Sequence, residues 1–432
     1  AAPGGEGIVV VVGRPSLAER GELVAEAAVA LAEAWPEARF LPALRRGNVM
    51  GALDMGLAPG VLPGRVSLDD GRAWFSSAWG SVPSERGRDT TEMLSALAEG
   101  TMKGVFLLGA DPLGDFPDAN LAQQALERAS LVVSVDSFLS PSSALAHVVL
   151  PVASVHERAG TTTNVEGRIT RLGQKVVPPG RCRPDWMVAS EIAMRLGADL
   201  GVTQLTEIWD EIERLAPSHA GITRAVLERP STRDGVVAPL SSEKVSIGRP
   251  PAARIDPMAT PGIESVEVQG APLRASQEDE PGSPSSNGGP AHSSDVPAGS
   301  LTGVRPRTLS RPERPVSLRV PPPDSYSMRL VAPRRLYDDG VMLGACDSLD
   351  SLAPAAVAHL NPEDLDRLGV ASGGNVRLRS SRGAVVLEAL ADGEVTKGVA
   401  VVGFNLDAAD SSAASALIDS AQPVTDVRLE TP

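Results

Sequence analysis

The stretch from Leu131 to Arg168, LVVSVDSFLSPSSALAHVVLPVASVHERAGTTTNVEGR, restricts the fold of this chain more than any other. An apolar run, Leu131 to Val135, ends in the acid Asp136. A turn with Ser140-Pro141-Ser142-Ser143 follows, and a second apolar run, His147 to Leu150, stops at Pro151. Short buried strands bounded by turn and helix-start signals are the pattern of an open parallel sheet. In such a sheet ligands lie beyond the carboxyl ends of the strands. The polar loop that comes next, Glu157 to Arg168, holds Gly160, three threonines, Asn164 and Gly167. Small residues of this kind let backbone N–H groups approach an anion, with Arg168 as its charge partner. The same residues also suit a self-supporting loop in which Glu157, Asn164 and Arg168 bond the backbone and one another.

Strand and helix patterns alternate through the first half of the chain. Ile8 to Val12 reads as a buried strand, and Ser16 with Glu19 as a capping box for a helix from Leu17 to Trp35. Arg39 to Pro83 is punctuated by Gly and Pro and reads as irregular connection. A helix is expected from Thr91 to Glu99, a strand from Gly104 to Leu108, a helix from Ala119 to Arg128 and a strand from Leu131 to Val135. Asp111 and Asp136 each stand at a strand end, where an acid caps the next helix or accepts hydrogen bonds from a ligand. Asp185 is expected to cap a helix from Trp186 to Leu196, and a further helix runs from Leu205 to Leu215. The expected architecture is α/β, a doubly wound, mostly parallel sheet over residues 1–230.

The composition changes after that. Residues 231–324 read as a linker; within it Ala271 to Pro323 is rich in Pro, Ser and Gly and too poor in apolar residues to offset its ordering entropy, so it is expected to be disordered. Its end carries Arg305, Arg307, Arg311, Arg314 and Arg319. Residues 325–432 read as a small β-rich domain, with Val376 to Arg379 and Ala384 to Leu390 pairing around Gly383, and Asp392-Gly393 as a second hairpin turn.

The net charge of −14 argues against a nucleic-acid partner. The two cysteines, Cys182 and Cys346, are far apart, whereas an iron–sulfur cluster needs about four thiolates. His147 and His156 have no cysteine nearby and read as hydrogen-bonded structural residues. No apolar run reaches the ~18 residues of a membrane span, so no direct membrane insertion is expected. The chain opens Ala1-Ala2-Pro3 and enters a strand almost at once, which suggests a fragment whose N-terminal part is missing.

Several pieces together resemble the molybdopterin oxidoreductase superfamily: Leu107-Leu108-Gly109-Ala110-Asp111-Pro112, Val148-Val149-Leu150-Pro151, Glu157, Gly160-Thr161, and Asn164-Val165-Glu166-Gly167-Arg168. Phe40 to Asn48 and Gly51 to Gly60 further resemble the actinobacterial form of the large iron–sulfur subunit of NADH-quinone oxidoreductase, respiratory complex I. The resemblance implies that Gly109, Asp111, Asp136, Gly160, Thr161, Asn164, Glu166, Gly167 and Arg168 mark a pterin-nucleotide site. It implies that this site is vestigial and empty, with molybdopterin absent and iron–sulfur clusters on the missing N-terminal part. It also implies a double-psi-like barrel at the C-terminus, a scaffold role without catalytic residues, peripheral-arm subunits as partners, and a peripheral place on the cytoplasmic side of the bacterial membrane. Two alternatives stay open: a catalytic molybdopterin enzyme such as a formate dehydrogenase or nitrate reductase, and a non-catalytic assembly factor.

Overall fold

The valine run that opens the chain forms β1 (Val9–Val12), followed by α1 (Gly21–Ala34) and β2 (Arg39–Pro42), which pairs with β1 in parallel. The structure, a computed structural model, describes residues 7–44, 46–239, 317–322, 324–408 and 411–432. Helix α1 starts four residues later than its sequence pattern suggests. Ser16 caps no helix: its Oγ accepts the N–H groups of Ala18 and Ala332, so the segment before α1 turns at Leu17 and Ala18 and is tied to the C-terminal part of the chain.

The region expected to be irregular holds α2 (Val49–Asp54), β3 (Val61–Leu62), β4 (Val66–Ser67) and α3 (Leu68–Trp79). Ser67 Oγ accepts the N–H of Asp70, capping α3. Gly71, which reads as a breaker, is required there: a Cβ would meet Leu62 Cδ1 at 2.6 Å. Trp74 Nε1 donates to Leu215 O at 3.1 Å, so α3 is fixed by a contact 141 residues away in sequence.

Helix α4 (Thr90–Ala98) is closed by a capping box between Asp89 and Glu92. It is followed by β5 (Gly104–Leu108), α5 (Pro112–Asp115), α6 (Ala119–Arg128), β6 (Leu131–Asp136), α7 (Pro141–Ala144) and β7 (Val148–Pro151). Strands β5, β6 and β7 form a three-stranded parallel sheet in that order. On one face Leu107 and Val132 meet Leu94 and Leu97 of α4 and Ala122, Ala125 and Leu126 of α6, residues at helical spacing. On the other, Val133 and Val135 pack with Val152 and Val188, while Phe106 and Leu108 stay exposed. The single doubly wound sheet expected from the strand–helix alternation is therefore two separate parallel sheets among the described residues, β1–β2 and β5–β6–β7.

Next come the hairpin β8 (Gly160–Thr163) and β9 (Arg168–Leu172), α8 (Asp185–Arg195), α9 (Leu205–Leu215), α10 (Arg224–Leu227) and β10 (Val236–Val237). Strand β10 pairs antiparallel with β9, so structure continues into the start of the segment read as linker. The side chain of Asp185 does not cap α8; it forms an ion pair with Arg158. The expected disorder of Ala271 to Pro323, and the arginines at 305, 307, 311 and 314, lie almost wholly outside the described residues.

The C-terminal part contains β11 (Ser327–Val331), α11 (Val341–Gly344), β12 (Val357–Leu360), α12 (Pro362–Leu368), β13 (Asn375–Arg379), β14 (Ala384–Ala391), β15 (Val399–Val402), β16 (Asp407–Ala408), β17 (Ser411–Ser412) and β18 (Asp426–Glu430). Six of these strands close a barrel in the order β11-β15-β12-β14-β13-β18. Alternate residues point inward, Met328 and Leu330 from β11, Val376 and Leu378 from β13, and Val385, Leu387 and Ala389 from β14. The β13–β14 hairpin is as the pattern suggests. Asp392-Gly393 is not a hairpin turn between neighbours, because β14 and β15 both pair with β12 rather than with each other. Leu17 and Ala18 are buried in this barrel core, and Leu17 N donates to Ala332 O. The segment before α1 thus completes the barrel.

Candidate functional site

The carboxyl end of β5 turns at Gly109, whose φ of 56° favours glycine, and enters α5 at Pro112. Its N–H donates to Val135 O, which holds the turn on the sheet. Asp111 is buried, and its Oδ1 accepts the N–H of Ser142 at 3.1 Å and the Ser142 hydroxyl. Its carboxylate thus ties the turn after β5 to α7. It occupies the N-cap position of α5 without bonding that helix through its side chain.

Two clefts flank this turn. The first, of about 670 Å3, opens at the carboxyl ends of both β1 and β5; Arg14, Arg20, Gly109, Asp111, Asp115 and Ser420 are among its walls. The second, of about 1000 Å3, lies on the other side of Asp111, between Ser140 and Pro141 and the barrel residues Gly340 and Asn405. Both are of the size that holds small ligands and cofactors, about 300–1,000 Å3.

The barrel side is fixed by one buried acid. Asp118 has no exposed surface. Its Oδ1 accepts the N–H of Leu121 and caps α6; its Oδ2 accepts the N–H and hydroxyl of Ser420 and pairs with Arg382 Nη2 at 2.9 Å. Arg382 also pairs with Asp419 at 3.0 Å. Ala119 N and Asn120 Nδ2 add bonds to the carbonyls of Ser415 and Ala416.

Four guanidinium groups line the first cleft, from Arg14, Arg20, Arg46 and Arg334. Burial pushes the Arg14 guanidinium below its ordinary pKa, with Glu22 and Glu19 acting in the opposite direction. Its hydrogen bond to Glu19 O leaves it folded along its own segment. Arg20 forms an ion pair with Glu22, which raises the arginine and lowers the glutamate. Arg334 stands over the Phe404 ring, 4.6 Å from its centroid. Planar guanidinium forks can match phosphate oxygens in bidentate geometry, but here Glu22 and Asp115, which line the same cleft, pair with three of the four, and Arg14 bonds backbone carbonyls.

The residues singled out in the sequence fall in two places. Gly109 and Asp111 stand at the clefts. Asp136 lies at the neighbouring strand end, where its Oδ1 accepts the N–H groups of Ser137 and Phe138. Gly160, Thr161, Asn164, Glu166, Gly167 and Arg168 belong to the β8–β9 hairpin and line neither of these clefts. There Asn164 Oδ1 accepts the N–H groups of Glu166 and Arg168, each at 2.9 Å, and Gly167 has a φ of 77°. Arg168 pairs with Glu166 and donates to Gly235 O. Glu157 Oε2 accepts the N–H of Ser154.

The cleft arginines, Asp115, Asp118 and Arg382 are candidate positions that the sequence reading did not reach. No local signal marks them, because each gains its meaning from a partner far along the chain. His147 Nδ1 accepts the N–H of Val132, which ties β7 to β6. Cys182 and Cys346 are both free, and among the described residues no group of three His, Cys, Asp or Glu side chains could hold a metal ion. Among the described residues no helix is long and apolar enough to cross a membrane.

Residues 18–195 match the family model for molybdopterin oxidoreductase, and residues 328–428 match that for the molybdopterin dinucleotide binding domain. The chain belongs to the molybdopterin oxidoreductase superfamily. The two matches meet across the clefts, since the turn at Gly109–Asp115 lies in the first and Arg334 and Ser420 lie in the second. The presence of both molybdopterin-binding domains runs against the sequence-based expectation that the pterin is absent.

Among curated superfamily members, the chain is 38% identical over 191 residues to an NADH-quinone oxidoreductase subunit of Rhizobium meliloti, covering 44% of this chain and 22% of that one. It is 27% identical over 372 residues to the F420-dependent formate dehydrogenase 2 subunit alpha of Methanococcus maripaludis, covering 84% of this chain and 47% of that one. The chain spans between about a fifth and a half of the length of the curated relatives it matches. Acetylene hydratase from Pelobacter acetylenicus shares the fold, with a TM-score of 0.50 and 16% identity over 85% of this chain and 51% of that one.

Proposed function

We propose that this chain is the nucleotide-holding scaffold part of the large iron–sulfur subunit of a respiratory NADH:quinone oxidoreductase. The observation that carries the reading is the arginine-lined cleft at the carboxyl ends of β1 and β5, closed on one side by the barrel. Arg46 and Arg334, drawn from Asp115, would bind the phosphates of a pterin nucleotide, and the backbone turn at Gly109 would bring the sheet edge close to them. A bound molybdopterin supplies a redox centre. The chain's own residues bind and orient it, and the barrel docked through Asp118 limits its exposure to water. In this reading the Gly160–Arg168 hairpin supports the fold, since its carboxamide and guanidinium bond their own turn. Electron transfer from NADH to quinone runs through iron–sulfur clusters held elsewhere in the complex, and the partners are the remaining peripheral-arm subunits on the cytoplasmic face of the membrane.

A second reading, the corresponding part of a catalytic molybdenum enzyme, is favoured by one observation: the similarity to a formate dehydrogenase subunit runs over 84% of the chain. The two separate on purification of the complete complex with its native partners. Molybdenum and the nucleotide released by acid hydrolysis are measured beside NADH:quinone and formate turnover. NADH:quinone activity that is lost on deletion of this chain, with nucleotide present and no formate oxidation, supports the proposal. Formate oxidation with one molybdenum per complex supports the second reading. An assembled, active complex with neither nucleotide nor molybdenum overturns the role of the cleft.

A further inference from the structure

Three distant segments meet at a single carboxylate in the first cleft. Arg46, on the loop after β2, places Nη2 2.6 Å from Asp115 Oδ2. Arg334, after β11, places Nη1 3.6 Å from Asp115 Oδ1, and its Nη2 donates to Asp115 O at 3.1 Å. Asp115 itself ends α5, directly beyond the turn that forms the cleft wall. Arg334 is held in place from below by the Phe404 ring and on its flank by Asp338 Oδ2 at 3.8 Å. The side chain of Arg46 is largely exposed and that of Asp115 is half-buried.

From this geometry we propose that Asp115 is a built-in competitor for anions, holding the guanidinium groups of Arg46 and Arg334 until a multiply charged ligand displaces it. The inference rests on the reading of the cleft as a nucleotide site and adds its selectivity. An exposed ion pair contributes only about 0–1 kcal/mol, so Asp115 is readily displaced. A phosphate offers each guanidinium two oxygens where the carboxylate now shares its oxygens between two arginines. A ligand with a single charge gains little from the exchange, because it must still sit beside the displaced Asp115. A diphosphate ester gains from both arginines at once. A phosphate monoester already carries about two charges, so the cleft is thereby tuned to multiply charged phosphate esters over singly charged anions.

The test uses the 432-residue chain freed of bound nucleotide, with GDP and the singly charged dimethyl phosphate as probes in calorimetric titrations at low salt. Asp115→Asn preserves shape and removes the charge; should it fail to fold, Asp115→Ser carries the same test. GDP should bind the variant up to about fivefold more tightly than wild type, and the preference for GDP over dimethyl phosphate should shrink. Adding Arg46→Gln should reduce the gain, since only Arg334 is then released. Binding that appears only in the variant also supports the proposal. If wild type binds GDP and Asp115→Asn binds it equally or less well, the competitor role is overturned while the nucleotide cleft stands. A gain undiminished by Arg46→Gln overturns it too. If neither protein binds GDP, the competitor role and the cleft reading fall together.

Discussion

Replacing Asp118 by Ala should separate the barrel from the α/β part before either unfolds. The carboxylate is fully buried and accepts four bonds, from Leu121 N, from the N–H and hydroxyl of Ser420, and from Arg382. Loss of the cap on α6 costs about 1 kcal/mol. Removing one partner of a buried ion pair costs about 3–5 kcal/mol. The lower end applies here, because Arg382 keeps Asp419 at 3.0 Å. Among the described residues its Nε already lacks a hydrogen-bond partner, so little slack remains. The sum, about 4 kcal/mol, is a large part of the ~5–15 kcal/mol that stabilises a domain. The chain carries its own probes. All five tryptophans (Trp35, Trp74, Trp79, Trp186 and Trp209) lie in the first half, and both tyrosines (Tyr326 and Tyr337) lie in or beside the barrel. In urea, wild type should show coincident tryptophan and tyrosine transitions, and Asp118→Ala should split them. Asp118→Asn should lose less, since its Oδ1 can still cap α6. Coincident transitions in Asp118→Ala, with a loss below about 1 kcal/mol, would refute the role given to this residue.

Two further outcomes follow from local geometry. His219 is buried among Ser218, Trp209, Asp54 and Arg65, and burial lowers its pKa from the ordinary 6.5, with Asp54 opposing and Arg65 adding to the effect. The unfolded chain therefore takes up the proton first, so this contribution is intact above 6.5 and is lost as pH falls from there toward the folded value. The urea midpoint should drop between about pH 7 and pH 5, less so in His219→Asn, and equal slopes would exclude the histidine as the cause. Asn164→Ala removes an acceptor from two backbone N–H groups and should cost about 1–2 kcal/mol, seen as faster amide exchange in Thr161 to Thr163. Turnover per assembled complex should stay unchanged; its loss at full assembly would mean that the hairpin serves the chemistry directly.

The elements legible in the sequence are those whose signals are local. Strand β5, helix α6 and strand β6 carry their own period and caps, and the β13–β14 hairpin carries its own turn at Gly383. Errors arose where a local signal had a distant purpose. Ser16 has the chemistry of an N-cap but spends it on Ala332, 316 residues on. Gly71 looks like a helix breaker but makes room for Leu62 inside α3. Asp392-Gly393 has hairpin composition, yet β12 lies between the two strands it joins.

The segment Asp111-Pro-Leu-Gly-Asp115-Phe-Pro-Asp118 concentrates this problem. Asp111 is legible as an acid at a strand end, whereas nothing local sets Asp115 and Asp118 apart from it. In the structure the three acids face three different parts of the molecule. Asp111 bonds Ser142 and ties the turn after β5 to α7; Asp115 meets Arg46 and Arg334 in the cleft; Asp118 meets Arg382 and Ser420 on the barrel. The helix α5 between the first two is a single turn. Asp111 and Asp118 fix the two ends of the segment by buried hydrogen bonds, and Asp115 between them is the acid that meets the cleft arginines.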